Sequence, residues 1–381
     1  MHTPDSLPFV MMRGGTSKGI FLRESDVPAD RESLTALLLD IFGSPDRRQI
    51  DGLGGADKLT SKAAIMGPPR RGDSDVSYLF GQVGILAPEV DYNLNCGNLT
   101  AAAGVYAIES GLVTPRDGHT LVRVHNLNTD RIVHVSVPTT STQVITQGDL
   151  QIGGVPGRGA PIALDFSRAV GAITGRLLPF GEVRTEVAVP GRESVTVSVV
   201  DGANLVIYAR AESFGLSGIE DPQTIDGDLA LRAHMDAVRR EVAIRLGLSD
   251  YWHQRSAPST PMLVMLQKPR DYHTCTTGEL ISADRLDLVC RQYASGSASK
   301  TLAGTVTVTT GMACGIAGSL PAQLCGEPGP RRYTFGHPSG VIHVDASVAR
   351  RGNEWHVEQA AIERTARRIA EGRVFLRGNS L

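Results

Sequence analysis

Short runs in which apolar and polar residues alternate recur along the chain. Leu121-Val-Arg-Val-His125, Ile132-Val-His-Val-Ser-Val137 and Val195-Thr-Val-Ser-Val-Val200 each have the period of two expected of a half-buried strand. Helical periodicity is rarer. From Asp30 to Phe42, the residues Leu34, Leu37, Leu38 and Ile41 share one face, with Asp30 placed to cap the start and Gly43 to stop the end. Asp228 to Leu246 repeats that design and ends at Gly247. Glu358 to Glu371 reads as a third amphipathic helix, followed by Gly372 and a short strand, Val374-Phe-Leu376. Cys290, in Leu286-Asp-Leu-Val-Cys-Arg291, reads as a packed helix residue. Many short strands beside a few separate helices predict an α+β chain rather than a doubly wound sheet.

Two segments echo each other. Phe9 to Leu22 is strand, glycine-polar turn, strand, and Val197 to Tyr208 has the same form. An amphipathic helix follows each at some distance. A duplicated domain fits this pattern, with the boundary near Leu178 to Val189 and hence domains at 1–183 and 184–381. A length of 381 residues agrees, at roughly 100–200 residues per domain. Gly153 to Gly159 is rich in Gly and Pro and reads as an ordered loop.

Composition narrows the function. The formal net charge is -2 with mixed signs along the chain, so the basic excess of a nucleic-acid binder is missing. No run of about 18 apolar residues suggests a membrane span, and the N-terminus lacks the pattern of a signal peptide. The five cysteines are Cys96, Cys275, Cys290, Cys314 and Cys325, widely spaced and without a C-x-x-C. That favours reduced thiols and a cytoplasmic location over disulfides or zinc. The ten histidines show no metal-ligand spacing. No P-loop, Gly-x-Ser-x-Gly elbow or His-Glu-x-x-His motif occurs.

Three places carry candidate chemistry. Cys96 stands in Asn93-Leu-Asn-Cys-Gly-Asn98, where a polar turn runs into Ala-rich, helix-forming sequence. A thiol at a helix N-terminus meets unbonded N–H groups that also suit a carboxylate; the competing expectation is a buried structural cysteine. Lys62 follows Leu59-Thr-Ser61 and precedes Ala63-Ala-Ile65. A partly desolvated lysine is a usable base; an exposed lysine is the commoner case. Arg13-Gly-Gly-Thr-Ser-Lys18 groups two cations, two hydroxyls and flexible backbone, which suits carboxylate recognition or a plain hairpin turn. Phe335-Gly-His-Pro-Ser-Gly-Val341 is a similar turn.

Taken together, Met12-Arg-Gly-Gly-Thr-Ser-Lys-Gly19, Ile50-Asp-Gly-Leu-Gly-Gly55, Leu59-Thr-Ser-Lys62, Asn95-Cys-Gly-Asn98 and Gly336-His-Pro-Ser-Gly-Val341 resemble the PrpF family, in the expected order across nearly the whole chain. That family includes 2-methylaconitate cis-trans isomerase, 4-oxalomesaconate tautomerase and related aconitate and methylitaconate isomerases. The resemblance implies a diaminopimelate-epimerase-like fold of two pseudo-symmetric domains, each a curved sheet around a central helix, with the last strand able to return to the first domain. It implies an active site between the domains, Lys62 and Cys96 as the catalytic positions, and a cofactor-independent, metal-free proton shift on an unsaturated dicarboxylate or tricarboxylate. For the substrate, the first domain offers Arg13, Thr16, Ser17 and Lys18 with the Gly97 and Asn98 amides; the second offers Asn204, Lys300 and Ser339. Neither nucleic acid nor membrane is an expected partner, and a homodimer or homotetramer is compatible with the chain.

Two departures bear on specificity. Many members carry a histidine pair where this chain has Ser299-Lys300, so Lys300 is placed to meet an extra carboxylate. No cysteine opens the stretch Ser295 to Thr305, whereas the epimerases of this fold use two cysteines. The preferred expectation is a 4-oxalomesaconate tautomerase. A 2-methylaconitate or aconitate isomerase, an amino-acid epimerase, and a non-catalytic carboxylate-binding protein stay open.

Overall fold

A computed structural model describes residues 6–93, 95–326 and 328–377. The chain divides into two units, Met1–Leu164 with Arg364–Leu381, and Asp165–Glu363. The first passage between units lies at 164/165, whereas the sequence pattern places a boundary at 183/184. Residues after Leu164 pack with the second unit because Asp201 gathers them: Gly171 N donates to Asp201 O at 2.8 Å, and the Ile173 and Thr174 amides donate to Asp201 Oδ2 at 3.0 and 2.6 Å.

In the first unit the strands run in space as Ala366–Phe375, Ser6–Gly14, Ser17–Arg23, Lys62–Gly67, Val76–Val83, Gly118–Asn126 and Arg131–Thr139. Their successive pairings are antiparallel, antiparallel, parallel, antiparallel, parallel and antiparallel. One face packs on the helix Arg31–Phe42 through Leu34, Leu37, Leu38, Ile41 and Phe42, against Ile20, Leu22, Ala63, Ile65 and Leu79. That helix starts and stops as its sequence predicts. The Asp30 side chain accepts from Ser33 N at 2.8 Å, and Gly43 takes the left-handed conformation, φ +69°. The other face wraps the helix Gly97–Glu109, whose residues are buried as far as Ile108 and which touches each of these strands.

The second unit repeats this plan. From Val195–Asp201 the strands follow as Leu205–Arg210, Met262–Gln267, Leu288–Ala294, Arg331–His337, Gly340–Arg351 and Glu354–Arg364. Antiparallel and parallel pairings alternate as far as Gly340–Arg351, and the last pair is antiparallel. The helix Leu229–Arg245, capped by Asp228, lays Met235, Val238 and Val242 on Val197, Val199, Ile207, Leu263 and Met265. The helix Gly304–Cys314 is buried throughout and occupies the other face. The two central helices share a detail. A glycine lies at the same distance into each, 97 to 104 and 304 to 311, where a strand comes close. A Cβ on Gly104 would lie 2.6 Å from Val135 Cγ1, and one on Gly311 2.8 Å from Val344 Cγ1.

The expected third helix, Glu358 to Glu371, is instead the strands Glu354–Arg364 and Ala366–Phe375. Ala360, Ile362 and Arg364 are buried while Ala361 and Glu363 are half-buried, the period of a strand. Ala, Glu and Arg favour a helix locally. Pairing with Gly340–Arg351 and with Ser6–Gly14 overrides that preference. Cys290 likewise lies in a strand, Leu288–Ala294, not in a helix. Among the described residues no helix is long and apolar enough to cross a membrane.

The close approach at Gly104 leads to a stability prediction. Gly104→Ala gains up to about 1 kcal/mol of helix propensity, but the new methyl meets Val135, and overpacking costs about 1–3 kcal/mol. The net effect is a lower midpoint in urea. A midpoint at or above wild type would mean that Val135 moves aside freely.

Candidate active site

The glycine-polar turn of the first hairpin sits on the start of the central helix. Gly14 pairs with Ser17 to close it, and Gly15 adopts φ +49°. Asn98 Nδ2 donates to Thr16 Oγ1 at 2.9 Å and to Ser17 Oγ at 3.2 Å, while its Oδ1 accepts from Arg364 Nε at 3.0 Å. Side chains are excluded at both glycines, since a Cβ on Gly14 would lie 2.1 Å from Asn98 O and one on Gly15 2.2 Å from Asn98 Oδ1.

Cys96 is the N-cap residue of this helix, buried, with no capping hydrogen bond from its side chain. The first bond inside the helix runs from Thr100 N to Cys96 O at 2.9 Å. The amides of Gly97, Asn98 and Leu99 thus have no acceptor within the helix, and such a terminus attracts an anionic group.

Lys62 opens the strand Lys62–Gly67, and register decides which way it faces. Lys62 lies opposite Gln82, Ala64 opposite Phe80 and Met66 opposite Tyr78. Alternate residues share a face. Since Ala63, Ile65 and Leu79 pack with the helix Arg31–Phe42, Lys62 lies on the face of the central helix. Its side chain is buried, with Nζ donating to Gln82 Oε1 at 2.6 Å and lying 5.0 Å from the centroid of the Phe80 ring. Gln82 Nε2 in turn donates to Ser61 O at 3.0 Å and Lys58 O at 3.2 Å. Tyr78, on the same strand face, is fully buried. Burial first, then the charge of the neighbouring Cys96, holds its phenol well above the usual range. One face of Val76–Val83 therefore presents Phe80 and Gln82 to Lys62, on the side of the sheet that packs the helix capped by Cys96.

The other residues expected in a site divide. Arg13 Nη1 donates to Gly15 O at 3.0 Å and Thr365 O at 2.9 Å, which makes it a brace for the turn; burial, then nearby Arg367, lowers its pKa. Lys18, half-buried and opposite Arg13 across the hairpin, makes no side-chain hydrogen bond or ion pair among the described residues. In the second unit, Asn204 Nδ2 donates to Thr305 Oγ1 at 2.7 Å and so ties its own hairpin turn to the start of the central helix. Ser339 Oγ donates to Lys300 O at 2.7 Å, bringing those two residues together, with the Lys300 side chain exposed. Tyr272 braces the Ser339 turn from its hydroxyl, whose one hydrogen is shared between His337 O at 2.9 Å and Gly340 O at 2.7 Å.

The duplicated plan makes the asymmetry of the chemistry visible. Parallel pairing begins at Gly19 with Lys62 in the first unit and at Val206 with Met262 in the second. The central helix is capped by Cys96 in one and by Ala303 in the other. A thioether and a methyl group transfer no protons, so this pair of proton-handling groups belongs to the first unit. Sequence reasoning missed Gln82, Phe80 and Tyr78, which become neighbours of the candidates only through register. It also missed Cys275, whose sulfur lies 3.9 Å from Ser339 Oγ.

The thiols are distinguishable by alkylation. Cys275 is exposed, whereas Cys290 is fully buried and burial pushes its thiol up to about 12. Because the thiolate is the nucleophile, iodoacetamide at pH 8 is expected to label Cys275 first and the fully buried Cys290 and Cys314 last. In a Cys275→Ser background, substrate should slow labelling of Cys96. Rapid labelling of Cys290, or no protection of Cys96, by mass spectrometry of peptides would contradict this arrangement.

The chain is similar to known proteins along nearly its whole length. Residues 5–377 match the family described as PrpF protein. The chain is 43% identical over 373 residues to a 3-methylitaconate isomerase of Eubacterium barkeri, covering 97% of each chain. It is 38% identical over 372 residues to a 4-oxalomesaconate tautomerase of Pseudomonas putida, covering 97% of this chain and 96% of the other. Among solved structures, a methylitaconate-delta-isomerase superposes with a TM-score of 0.79 at 42% identity, over 98% of this chain and 96% of that one. A probable proline racemase from Agrobacterium radiobacter K84 shares the fold at 11% identity, with a TM-score of 0.56 over 97% of this chain and 92% of that one. The chain therefore belongs to the PrpF family, has the diaminopimelate-epimerase-like fold and is an isomerase.

Proposed function

We propose that this isomerase moves a proton between two carbons of an unsaturated dicarboxylate or tricarboxylate, with Lys62 and Cys96 as the acid/base pair. The observation that carries the proposal is their placement: Lys62 lies on the sheet face that packs the central helix, and Cys96 caps the N-terminus of that helix. A C–H next to a carboxylate-conjugated double bond is a weak acid. Lys62 takes this proton, and negative charge spreads through the conjugated system onto the carboxylate. The Gly97 and Asn98 amides stabilise that charge, as fixed donors aimed at developing charge do. Cys96 returns a proton at the far carbon, and the double bond shifts. Rotation of the intermediate before the proton returns gives cis-trans change instead. The same scheme runs with the two roles exchanged. No electrons enter or leave the substrate, so no redox cofactor is needed.

Thr16, Ser17 and Lys18 are the proposed anion contacts on the first unit; Lys300 and Ser339 are candidates on the second. Two substrate readings have support. The cation at Lys300 favours a third carboxylate or an oxo group, as in 4-oxalomesaconate. The 43% identity to a 3-methylitaconate isomerase favours a methylene dicarboxylate.

Incubation in heavy water with 3-methylitaconate, 4-oxalomesaconate, 2-methylaconitate and a panel of amino acids, followed by NMR, tests the reaction class. Deuterium should enter one of the unsaturated acids at the carbon that gains the proton. Exchange confined to an amino-acid α-carbon, or none at all, would refute it. Lys62→Ala and Cys96→Ala should each lower turnover by at least about 100-fold, the lower end for lost general acid–base catalysis.

Lys300→Ala separates the two substrates. Losing one charge-assisted contact costs about 1.5–3 kcal/mol, or roughly 10- to 150-fold in affinity. For a substrate that uses Lys300 the loss should fall mainly on KM. Unchanged KM and kcat would place Lys300 outside the site and remove the support for the oxalomesaconate reading.

A further inference from the structure

Gln82 stands directly opposite Lys62 in the antiparallel pair, and its Oε1 accepts from Lys62 Nζ at 2.6 Å. A side-chain amide can usually turn over and exchange its oxygen for its nitrogen. This one is held. Nε2 donates to Ser61 O at 3.0 Å and to Lys58 O at 3.2 Å. Turned over, the amide would set its oxygen against two backbone carbonyls and its NH2 group against the lysine. The segment just before Lys62 thus fixes an acceptor that faces Lys62. The Phe80 ring, 5.0 Å from Nζ, gives the chain end a second neighbour. A lysine otherwise swings on a flexible four-carbon stem.

The second unit carries the same residue type in the strand antiparallel to Met262–Gln267, put to a different use. There Gln292 Nε2 lies 3.6 Å from Met262 Sδ, and its Oε1 accepts from Ala303 N, at the helix start, at 2.8 Å. Where no lysine is present, the amide oxygen serves the helix. Where Lys62 is present, it serves the lysine.

We propose that Gln82 is a positioning residue that aims Lys62 at the reacting carbon. This rests on the isomerase mechanism above. Proton transfer needs the donor and acceptor held within hydrogen-bond reach, and a misplacement of about 1 Å can cost roughly 100-fold. Gln82→Met keeps the length and removes the oxygen; Gln82→Glu keeps an acceptor for Lys62 but loses the donations to Ser61 O and Lys58 O.

Two readouts test the proposal. In steady-state kinetics, Gln82→Met should lose about 100-fold in kcat with KM within about threefold of wild type. Gln82→Glu should recover at least about tenfold of that loss, with the Lys62-dependent limb of its pH profile moved to higher pH, since a carboxylate favours the protonated amine. Independently of turnover, competitive labelling of Lys62 with acetic anhydride across pH, read by mass spectrometry, follows the amine itself. Its midpoint should fall by about one to two pH units in Gln82→Met and rise in Gln82→Glu, the size expected for a hydrogen bond to a charged group. If wild type turned over none of the unsaturated acids, the reaction assignment would fail, and the labelling midpoints would still decide whether Gln82 controls Lys62. If Gln82→Met did not fold, the shift in Gln82→Glu would decide. Midpoints unmoved in the folded variants, or a kcat within about threefold of wild type in Gln82→Met, would overturn the proposal.

Discussion

Asn98 ties together three stretches of chain that lie far apart in sequence. Its Nδ2 holds the hydroxyls of Thr16 and Ser17, its Oδ1 holds Arg364 Nε, and its backbone lies in the first turn of the central helix. Asn98, Ser17 and Arg364 are buried, and Thr16 is half-buried. Each such bond contributes only about 1 kcal/mol net, but an orphaned buried donor or acceptor costs about 1–3 kcal/mol. The arrangement therefore tolerates little change in any partner. Burial alone lowers the Arg364 guanidinium to about 10, a sign of how dry the junction is. Gly14 and Gly15 are required for the turn to come this close. The position of the helix N-terminus relative to the strands, and with it the position of Cys96, depends on this junction.

The second constraint is register. Lys62–Gly67 and Val76–Val83 have a helix on either face, so every residue of Lys62–Gly67 is buried. A slip of one residue would exchange the faces. Lys62 would then enter the apolar cluster of Leu34, Leu38 and Ile41, where a charge has no partner. Apolar packing against one helix thus directs the lysine toward the other.

Duplication explains how the two halves differ in chemistry while sharing a plan. Strand pairing, the capped outer helix and the glycine in the central helix recur in both units. Met262 and Ala303 stand where the first unit has Lys62 and Cys96. The shared elements maintain packing, which both units need. The differing positions lie at the strand start and the helix cap. In the second unit the Ser339 hydroxyl donates to Lys300 O and the Ser339 amide to His337 Nδ1.

Local signals in the sequence sufficed for the first hairpin, for the helices Arg31–Phe42 and Leu229–Arg245 with their aspartate caps, and for Cys96 at a helix start. Each rests on residues within a few positions of one another: a capping carboxylate, a glycine beyond the last turn, a period of two or of 3.6. The set of motifs, taken in order, also sufficed for the family. Tertiary structure decided what depends on a distant partner. Residues 358–371 carry helix-forming side chains, yet pair as strands with Gly340–Arg351 and Ser6–Gly14. The boundary between units follows Asp201, which draws in the segment of Gly171 to Thr174. Arg13 reads as a ligand for anions, and the fold adds that its Nη1 braces its own turn. Gln82 has no local signature, because its relation to Lys62 exists only across the strand pair. Hydrogen bonds and charges act over a few ångströms in space, and the sequence orders residues along a chain; the two measures agree within a turn or a cap and part wherever the chain returns to itself.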